Sequence, residues 1–242
     1  MIRENRFLFF VIILLGTVAL PIFFGGCKKD NDNTNTPIIP PDSTVKDFDG
    51  NIYHKVKIGT QVWLVENLKV THYRNGDPIL SGNYKSGNKN ISTEGIFWMY
   101  DNNSAIAAVY GLLYNWYAIA DPRNISPSGW HIATDPEWTA LEVTLGGSDV
   151  AGGKLKEQGT SHWDGPNTGA SNESGFGALP NGAWDCTSTN FTLLGKFATF
   201  WTSTESGTYF AWGRSISASS ASLYRGDSNR NMGWALRCVQ DK

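Results

Sequence analysis

Residues 134–147 read Thr-Asp-Pro-Glu-Trp-Thr-Ala-Leu-Glu-Val-Thr-Leu-Gly-Gly and give the clearest helix prediction in the chain. Thr134 and Glu137 stand at the spacing of a capping box, in which each side chain binds the backbone N–H of the other residue. Glycines at the end of the stretch favour the backbone conformation that terminates a helix. The buried stripe of this predicted helix consists of Trp138, Leu141 and Leu145.

Shorter patterns on both sides of this helix indicate an α+β fold. The alternating residues 53–58 and residues 61–65, with Gly-Thr between them, predict a β-hairpin. From Phe176 onward, short strand patterns are separated by Gly, Asn, Ser and Asp. We therefore expect two helices packed on short, loop-rich antiparallel sheets. The other helix is predicted over about residues 110–120, with one face formed by Leu113, Tyr117 and Ala120.

Composition excludes two classes of protein. The 242 residues carry 20 Lys and Arg against 22 Asp and Glu, a net charge of −2. A nucleic-acid-binding protein is expected to show a basic excess, so no nucleic-acid partner is predicted. Aromatic residues make up 13% of the chain, which argues against intrinsic disorder. One globular domain is expected over residues 45–242.

The N-terminal segment resembles a bacterial lipoprotein signal. Two arginines precede the apolar run from Phe7 to Phe24, and Gly-Gly-Cys follows. The resemblance implies a signal peptide over residues 1–26 and lipidation of Cys27; an ordinary secretory signal or a membrane anchor is the alternative. Residues 27–44 are polar and proline-rich and read as a flexible tether. This predicts an outer-membrane lipoprotein held by its N-terminal lipid on the surface of a Gram-negative, Bacteroidetes-type bacterium.

Motifs across the predicted domain carry a second resemblance. They include residues 47–51, 56–63, 66–68, 110–111 with 113–117, 127–131, 137–138, 174–176 with 178–180, 200–205 and 237–239. In this order they resemble the Fibrobacter succinogenes major paralogous domain family over nearly the whole domain. That family looks like a member of the C-type lectin-like superfamily, so the resemblance implies a C-type lectin-like fold.

The motif tryptophans are expected mainly to fill the core, because a Trp side chain must bury a large area. Packing is favoured over ligand contact for Trp63, Trp116, Trp130, Trp138, Trp201 and Trp234.

Two cysteines remain once Cys27 is assigned to lipid. Relatives often carry a cysteine at the position of Ser126 that could bridge to the one matching Cys238, and this chain lacks it. Cys186 is present instead, and disulfides persist in exported proteins. We therefore expect a replacement disulfide between Cys186 and Cys238.

No enzymatic activity is predicted. The same superfamily includes formylglycine-generating enzymes, whose copper-binding cysteine pair is missing from the corresponding residues 221–228. There is no Gly-x-Ser-x-Gly elbow, no phosphate-binding loop and no pair of histidines at metal-ligand spacing. No cofactor and no metal site are expected.

A binding role is therefore the favoured hypothesis. Residues 203–230 are rich in Tyr, Ser, Gly, Asn, Arg and Asp, the composition of antibody-like binding surfaces. They look like the variable region of proteins diversified by retroelements. The expected ligand is an extracellular protein or a glycan, and a calcium-independent, lectin-like carbohydrate-binding module is the alternative, because the calcium-binding motifs of C-type lectins are absent. The predicted ligand-binding residues are Tyr209, Trp212, Arg214, Tyr224, Arg225, Asp227, Asn229 and Arg230.

Overall fold

The computed structural model describes residues 44–82 and 92–242, which belong to one compact unit. The predicted signal peptide, Cys27 and nearly all of the predicted tether lie outside the described residues. None of the helices within the described ranges combines the length and apolar character of a membrane span.

The described residues form a mixed α+β structure, as predicted, dominated by short strands. The helices are α1 (Ser104–Tyr110), α2 (Trp116–Ala120), α3 (Asp135–Thr144) and α4 (Ser148–Leu155), with a 3₁₀ turn at Tyr100–Asn102. The strands are β1 (Thr44–Lys46), β2 (Ile52–Ile58), β3 (Gln61–Leu64), β4 (Leu80–Ser81), β5 (Ile96–Trp98), β6 (Leu113–Tyr114), β7 (Trp130–Ile132), β8 (Asn181–Asp185), β9 (Asn190–Leu194), β10 (Phe197–Glu205), β11 (Phe210–Ser217), β12 (Leu223–Asn229) and β13 (Cys238–Gln240).

Four sheets organise these strands. The largest has the order β1-β2-β3-β13-β7, so the C-terminal strand β13 lies between β3 and β7, both of which are distant from it in sequence. Strands β10, β11 and β12 form a consecutive antiparallel sheet with β12 at its edge. The order β4-β5-β6 makes a small sheet whose β4–β5 pair is parallel, and β8 pairs with β9.

Two local predictions are confirmed by direct contacts. Strands β2 and β3 pair antiparallel, with Val56 opposite Trp63, as the predicted hairpin requires. Helix α3 begins with the predicted capping box: the Glu137 N–H donates to Thr134 Oγ1 at 3.3 Å, and the Thr134 N–H donates to Glu137 Oε2 at 2.8 Å. The helix ends before Gly146 and Gly147, which both have positive φ.

The prediction of one helix over residues 110–120 is wrong. Helix α1 ends at Tyr110, and Gly111 follows with a φ of 81° that α-helical residues do not adopt. The next residues form β6, in which Tyr114 pairs with Phe97 of β5. Helix α2 then begins separately, with the Asn115 side chain accepting a hydrogen bond from the Ala118 N–H. The described residues therefore contain four α-helices instead of the two predicted.

The predicted core tryptophans are almost all buried. The exposed fraction is 4% or less for Trp63, Trp116, Trp130, Trp138 and Trp201. Trp234 is partly exposed and stacks on Trp201, with 4.3 Å between the ring centroids. Packing therefore accounts for these residues, and they position the loops around them.

Two buried cations bind backbone carbonyl groups. The Lys156 ammonium donates to the carbonyl oxygens of Thr168, Ser217 and Ser220 at 2.8–3.0 Å. Burial lowers the pKa of this amine to about 8. The Arg237 guanidinium likewise donates to backbone carbonyls, those of Leu64, Val65, Phe176 and Gly177, and to Asn67 Oδ1. Each cation therefore holds loop segments that are distant in sequence against the core.

The predicted disulfide is absent: Cys186 and Cys238 are both free and buried. Cys238 lies in β13, opposite Ile132 of β7, within the main core. Cys186 follows β8, in a different sheet, and its Sγ lies 3.7 Å from Met232 Sδ. The two thiols are thus held by different sheets and pack against different neighbours.

Candidate ligand-binding surface

Strands β11 and β12 carry most of the predicted binding residues. They pair antiparallel, with Trp212 opposite Asp227 and Arg214 opposite Arg225. Because successive side chains of a strand point to opposite faces, these four residues share one face of the sheet. Tyr224 and Gly226 lie on the opposite face.

The shared face is tied to helix α3 through Asp135. The buried Arg214 Nη1 donates to Asp135 Oδ1 at 2.6 Å, and Arg225 donates through Nε and Nη2 to both carboxylate oxygens at 2.9–3.1 Å. Burial alone would raise the pKa of Asp135, but the hydrogen bonds from Arg225 and Arg214 outweigh it and lower the pKa. The Arg214 side chain is 0% exposed, so it lies in the core and does not reach the surface.

The Arg225 guanidinium is held from a second side by an aromatic ring. Its Cζ lies 3.4 Å from the centroid of the Trp212 ring, the geometry of a cation–π contact. Arg225 therefore joins Trp212 to Asp135, although 42% of its side chain remains exposed. The contacts of the Arg225 guanidinium are therefore with other residues of the same domain.

Arg230 and Asp227 also contact neighbouring residues. Arg230 pairs with Glu205 at 2.9 Å, donates to the Gly207 carbonyl at 2.8 Å and lies over the Trp116 ring at 4.4 Å. Asp227 accepts a hydrogen bond from the Ser206 hydroxyl at 3.0 Å. These contacts fix the turn between β10 and β11.

Strands β11 and β12, with Tyr209 directly before β11, form a β-hairpin that we call the β11–β12 hairpin. Several of its aromatic side chains are exposed to solvent. Tyr209 is 67% exposed, Phe210 44% and Tyr224 52%. Among the described residues, the other strongly exposed aromatic side chain is Phe48, at 55%. Exposed aromatic rings thus concentrate at the hairpin.

A shallow cleft of about 560 Å³ lies beside Tyr209, where β11 begins and β12 ends. We call it the Tyr209 cleft. It is lined by Ser92, Thr93, Glu94, Tyr117, Tyr209, Asn229 and Asn231. Of the predicted binding residues, the structure brings Tyr209 and Asn229 together here, whereas Tyr224 lies at the far end of β12.

Sequence reasoning missed the other side of this cleft. Tyr117 is predicted on a helix face together with Leu113, and residues 92–94 carry no predicted role. The Asn115 side chain brings the two segments together: its Oδ1 accepts from the Ile96 N–H at 2.9 Å, and its Nδ2 donates to the Glu94 carbonyl at 2.8 Å. An Asn immediately before a helix was the available indication.

Another cleft lies beside His131. Residues lining it include Glu137 and Asp241. His131 Nδ1 lies 2.7 Å from Asp241 Oδ1, and Nε2 lies 2.9 Å from Glu137 Oε1. Burial alone lowers the pKa of His131, but the two carboxylates outweigh it and raise the pKa. Glu137 also completes the capping box of α3, so this cluster has a structural role.

Within residues 44–82 and 92–242, no three His, Cys, Asp or Glu side chains form a group that could hold a metal ion.

The chain was compared with known proteins in three ways. Comparison with curated proteins found no match, and comparison with solved structures found none. Comparison with protein families matched residues 56–240 to the Fibrobacter succinogenes major domain. The match covers most of the chain and includes both strands of the hairpin. The chain therefore belongs to the Fibrobacter succinogenes major domain family.

Proposed function

We propose that this protein is a cell-surface lipoprotein that binds an extracellular ligand through the β11–β12 hairpin and does not transform it. The observation that carries the proposal is the exposure of Tyr209, Phe210 and Tyr224 on one hairpin. Aromatic side chains dominate the energetics of protein interfaces, because they bury a large area at a low cost in conformational entropy.

The rigidity of the hairpin supports the same proposal. Arg214 and Arg225 tie its inner face to Asp135, and Arg230 ties its open end to Glu205. A surface held in this way loses little conformational freedom when it binds, which favours affinity. The arginines act here as supports, and the exposed tyrosines are the contact residues.

The alternation of side chains also fits a diversified surface. Tyr224 and Gly226 are exposed on the face opposite the Asp135 contacts, so their replacement leaves those contacts intact. Diversification predicts two features in the neighbouring DNA. One is a reverse transcriptase gene, and the other is a near-copy of the 3′ region of the gene for this protein that differs from it at adenines. A unique 3′ region would count against diversification while leaving ligand binding in place.

The proposed anchor is a lipid on Cys27, and the proposed scaffold is of the C-type lectin-like type. The basic and apolar N-terminal segment that ends in Gly-Gly-Cys supports the anchor. The family membership, together with the loop-rich α+β architecture, supports the scaffold. In this arrangement the polar tether holds the domain away from the outer membrane.

The test is binding of the full chain, purified in detergent, to arrays of extracellular proteins and of glycans. The variant Tyr209→Ala/Tyr224→Ala is expected to lose the captured ligand without a change in Tm. Phe48→Ala is the matched control, because Phe48 is an aromatic residue of similar exposure outside the hairpin. Capture that survives the double variant, or that Phe48→Ala abolishes equally, would contradict the proposal.

A further inference from the structure

We propose that the Tyr209 cleft binds a neutral glycan without calcium. This inference rests on the proposed ligand-binding function and names the ligand class and the place of binding. The supporting observation is the lining of the cleft, which combines aromatic rings with side-chain amides, and whose walls are held in place by hydrogen bonds.

The walls of the cleft are fixed before any ligand arrives. Asn231 Oδ1 accepts a hydrogen bond from the Ser92 N–H at 2.8 Å, and Asn229 Oδ1 accepts one from the Asn231 N–H at 2.9 Å. The Arg230 N–H donates to the Tyr209 carbonyl at 3.0 Å. The backbone that carries the lining side chains is therefore braced from both sides of the cleft, as a preorganised site requires.

The lining has the two kinds of surface that a sugar requires. Tyr117 and Tyr209 offer aromatic rings against which the C–H face of a sugar ring can pack. Within the described residues, Asn229 Nδ2 and the Glu94 carboxylate take part in no hydrogen bond, and they are free for sugar hydroxyl groups. The volume of about 560 Å³ lies within the range of small-ligand sites.

The charge of the lining favours a neutral ligand. Glu94 is the charged residue among the lining side chains, and it repels a sulfated or sialylated sugar. The nearby Arg230 does not offset this repulsion, because it pairs with Glu205. A single lining carboxylate also falls short of the acid and base pair that glycoside hydrolysis uses. The cleft is therefore suited to binding a sugar rather than cleaving it.

The experiment applies the full chain, in detergent, to an array of neutral, sialylated and sulfated oligosaccharides, and then titrates the best-retained glycan. Tyr209→Ala is expected to weaken binding about tenfold or more, the loss typical of an aromatic anchor. Tyr209→Phe is expected to retain most of the affinity, because it keeps the ring. EDTA is expected to change nothing.

Phe48→Ala is the matched control. It removes an exposed aromatic side chain that belongs neither to the hairpin nor to the cleft. This variant is expected to bind the glycan as well as the unmodified chain. Tyr224→Ala is measured beside it, because Tyr224 lies roughly 17 Å along β12 from Asn229 and so separates the cleft from the rest of the proposed hairpin surface. Tm is measured for each variant, and the exposure of Tyr209 predicts no change.

Several outcomes would overturn the glycan inference: no neutral glycan retained, binding unaffected by Tyr209→Ala, or binding abolished by EDTA. Tyr209-dependent binding of choline chloride alone would also overturn it, since the tyrosines and Glu94 would then form a cation site. If a protein ligand is lost in Tyr224→Ala and kept in Tyr209→Ala, the glycan inference fails and the proposed binding function stands. If no array ligand depends on either tyrosine, both fail.

Discussion

Asp135, the first residue of helix α3, accepts hydrogen bonds from Arg225 through both carboxylate oxygens, although 90 residues of sequence separate the two. The contact joins the hairpin to the helix whose capping box is the clearest local pattern in the sequence. The same carboxylate also neutralises the buried Arg214. Asp135 therefore links both strands of the hairpin to helix α3.

The first prediction concerns this carboxylate. Asp135→Ala leaves the Arg214 guanidinium buried without a counter-charge, and we expect the free energy of unfolding to fall by about 3–5 kcal/mol. Arg225→Ala is expected to cost only about 1 kcal/mol, because its partly exposed ion pair is screened by solvent. Urea unfolding of both variants measures the two effects. A loss below about 1 kcal/mol for Asp135→Ala would contradict the structural role.

The second prediction concerns pH. His131 can donate to Glu137 and Asp241 at the same time only when both ring nitrogens carry protons. Its pKa is raised in the folded state above the ordinary 6.5, so its stabilising effect is complete below about pH 6.5 and is lost as pH rises through the folded pKa. His131→Gln is therefore expected to destabilise the domain at pH 5.5 and to have little effect at pH 9.

Urea unfolding of the unmodified chain and of His131→Gln at both pH values measures this difference. His54→Gln serves as the control, because His54 has a single carboxylate partner, Glu66, and is half exposed. The pH-dependent role of His131 is refuted if its variant shows the same stability difference at pH 5.5 and pH 9.

The third prediction concerns the thiols. Because Cys186 and Cys238 are free, both are expected to react with iodoacetamide in the unfolded, unreduced protein, and a reductant is expected to leave Tm unchanged. Burial raises the pKa of both thiols, so labelling of the folded protein is expected to be slow. Non-reducing digestion that yields two peptides joined through Cys186 and Cys238 would contradict the prediction of free thiols.

The fourth prediction concerns the anchor. Cys27→Ser removes the thiol that the proposed lipidation requires, and we expect an uncleaved precursor without lipid. Mass spectrometry and membrane fractionation of the expressed chain check this. Cys186→Ser is the control for the loss of a cysteine as such. Normal processing and lipid attachment in Cys27→Ser would rule out the proposed anchor.

Local patterns predicted the local structure well. The β2–β3 hairpin and helix α3 follow from residues that contact one another within a few positions. The helix predicted over residues 110–120 was wrong because the glycine at 111, with its positive φ, and the pairing of Tyr114 with Phe97 act against the helical spacing. Tertiary pairing overrode the periodic pattern there.

Helix α4 was missed for a related reason. Gly152 and Gly153 lower the helix propensity of this segment. In the structure a side chain at either position would collide with the main chain, that of Ser222 at Gly152 and that of Gly169 at Gly153. The glycines are therefore required by close packing, a requirement that the sequence alone does not display.

The candidate binding residues were chosen by composition, and the structure shows where their side chains lie. Tyr209 and Asn229 do line a cleft, but the arginines that resembled surface anchors are bound to partners far along the chain. Whether a guanidinium faces solvent or a buried carboxylate depends on contacts such as Arg214 with Asp135, which no local pattern shows. Composition therefore does not show which side chains of this segment are exposed and which are bound to partners within the domain.

The bonds of Lys156 have a consequence for how this protein can evolve. Its acceptors are the main-chain oxygens of Thr168, Ser217 and Ser220. Every residue type supplies such an oxygen, so a change of side chain at these positions does not remove the bond. The three anchor points of the lysine therefore survive a change of side chain, whereas the Ser217 and Ser220 hydroxyls also hold the loop by accepting from the Ser219 and Ser222 N–H groups. Among the three acceptor residues, sequence drift is expected to be freest at Thr168, whose side chain is exposed.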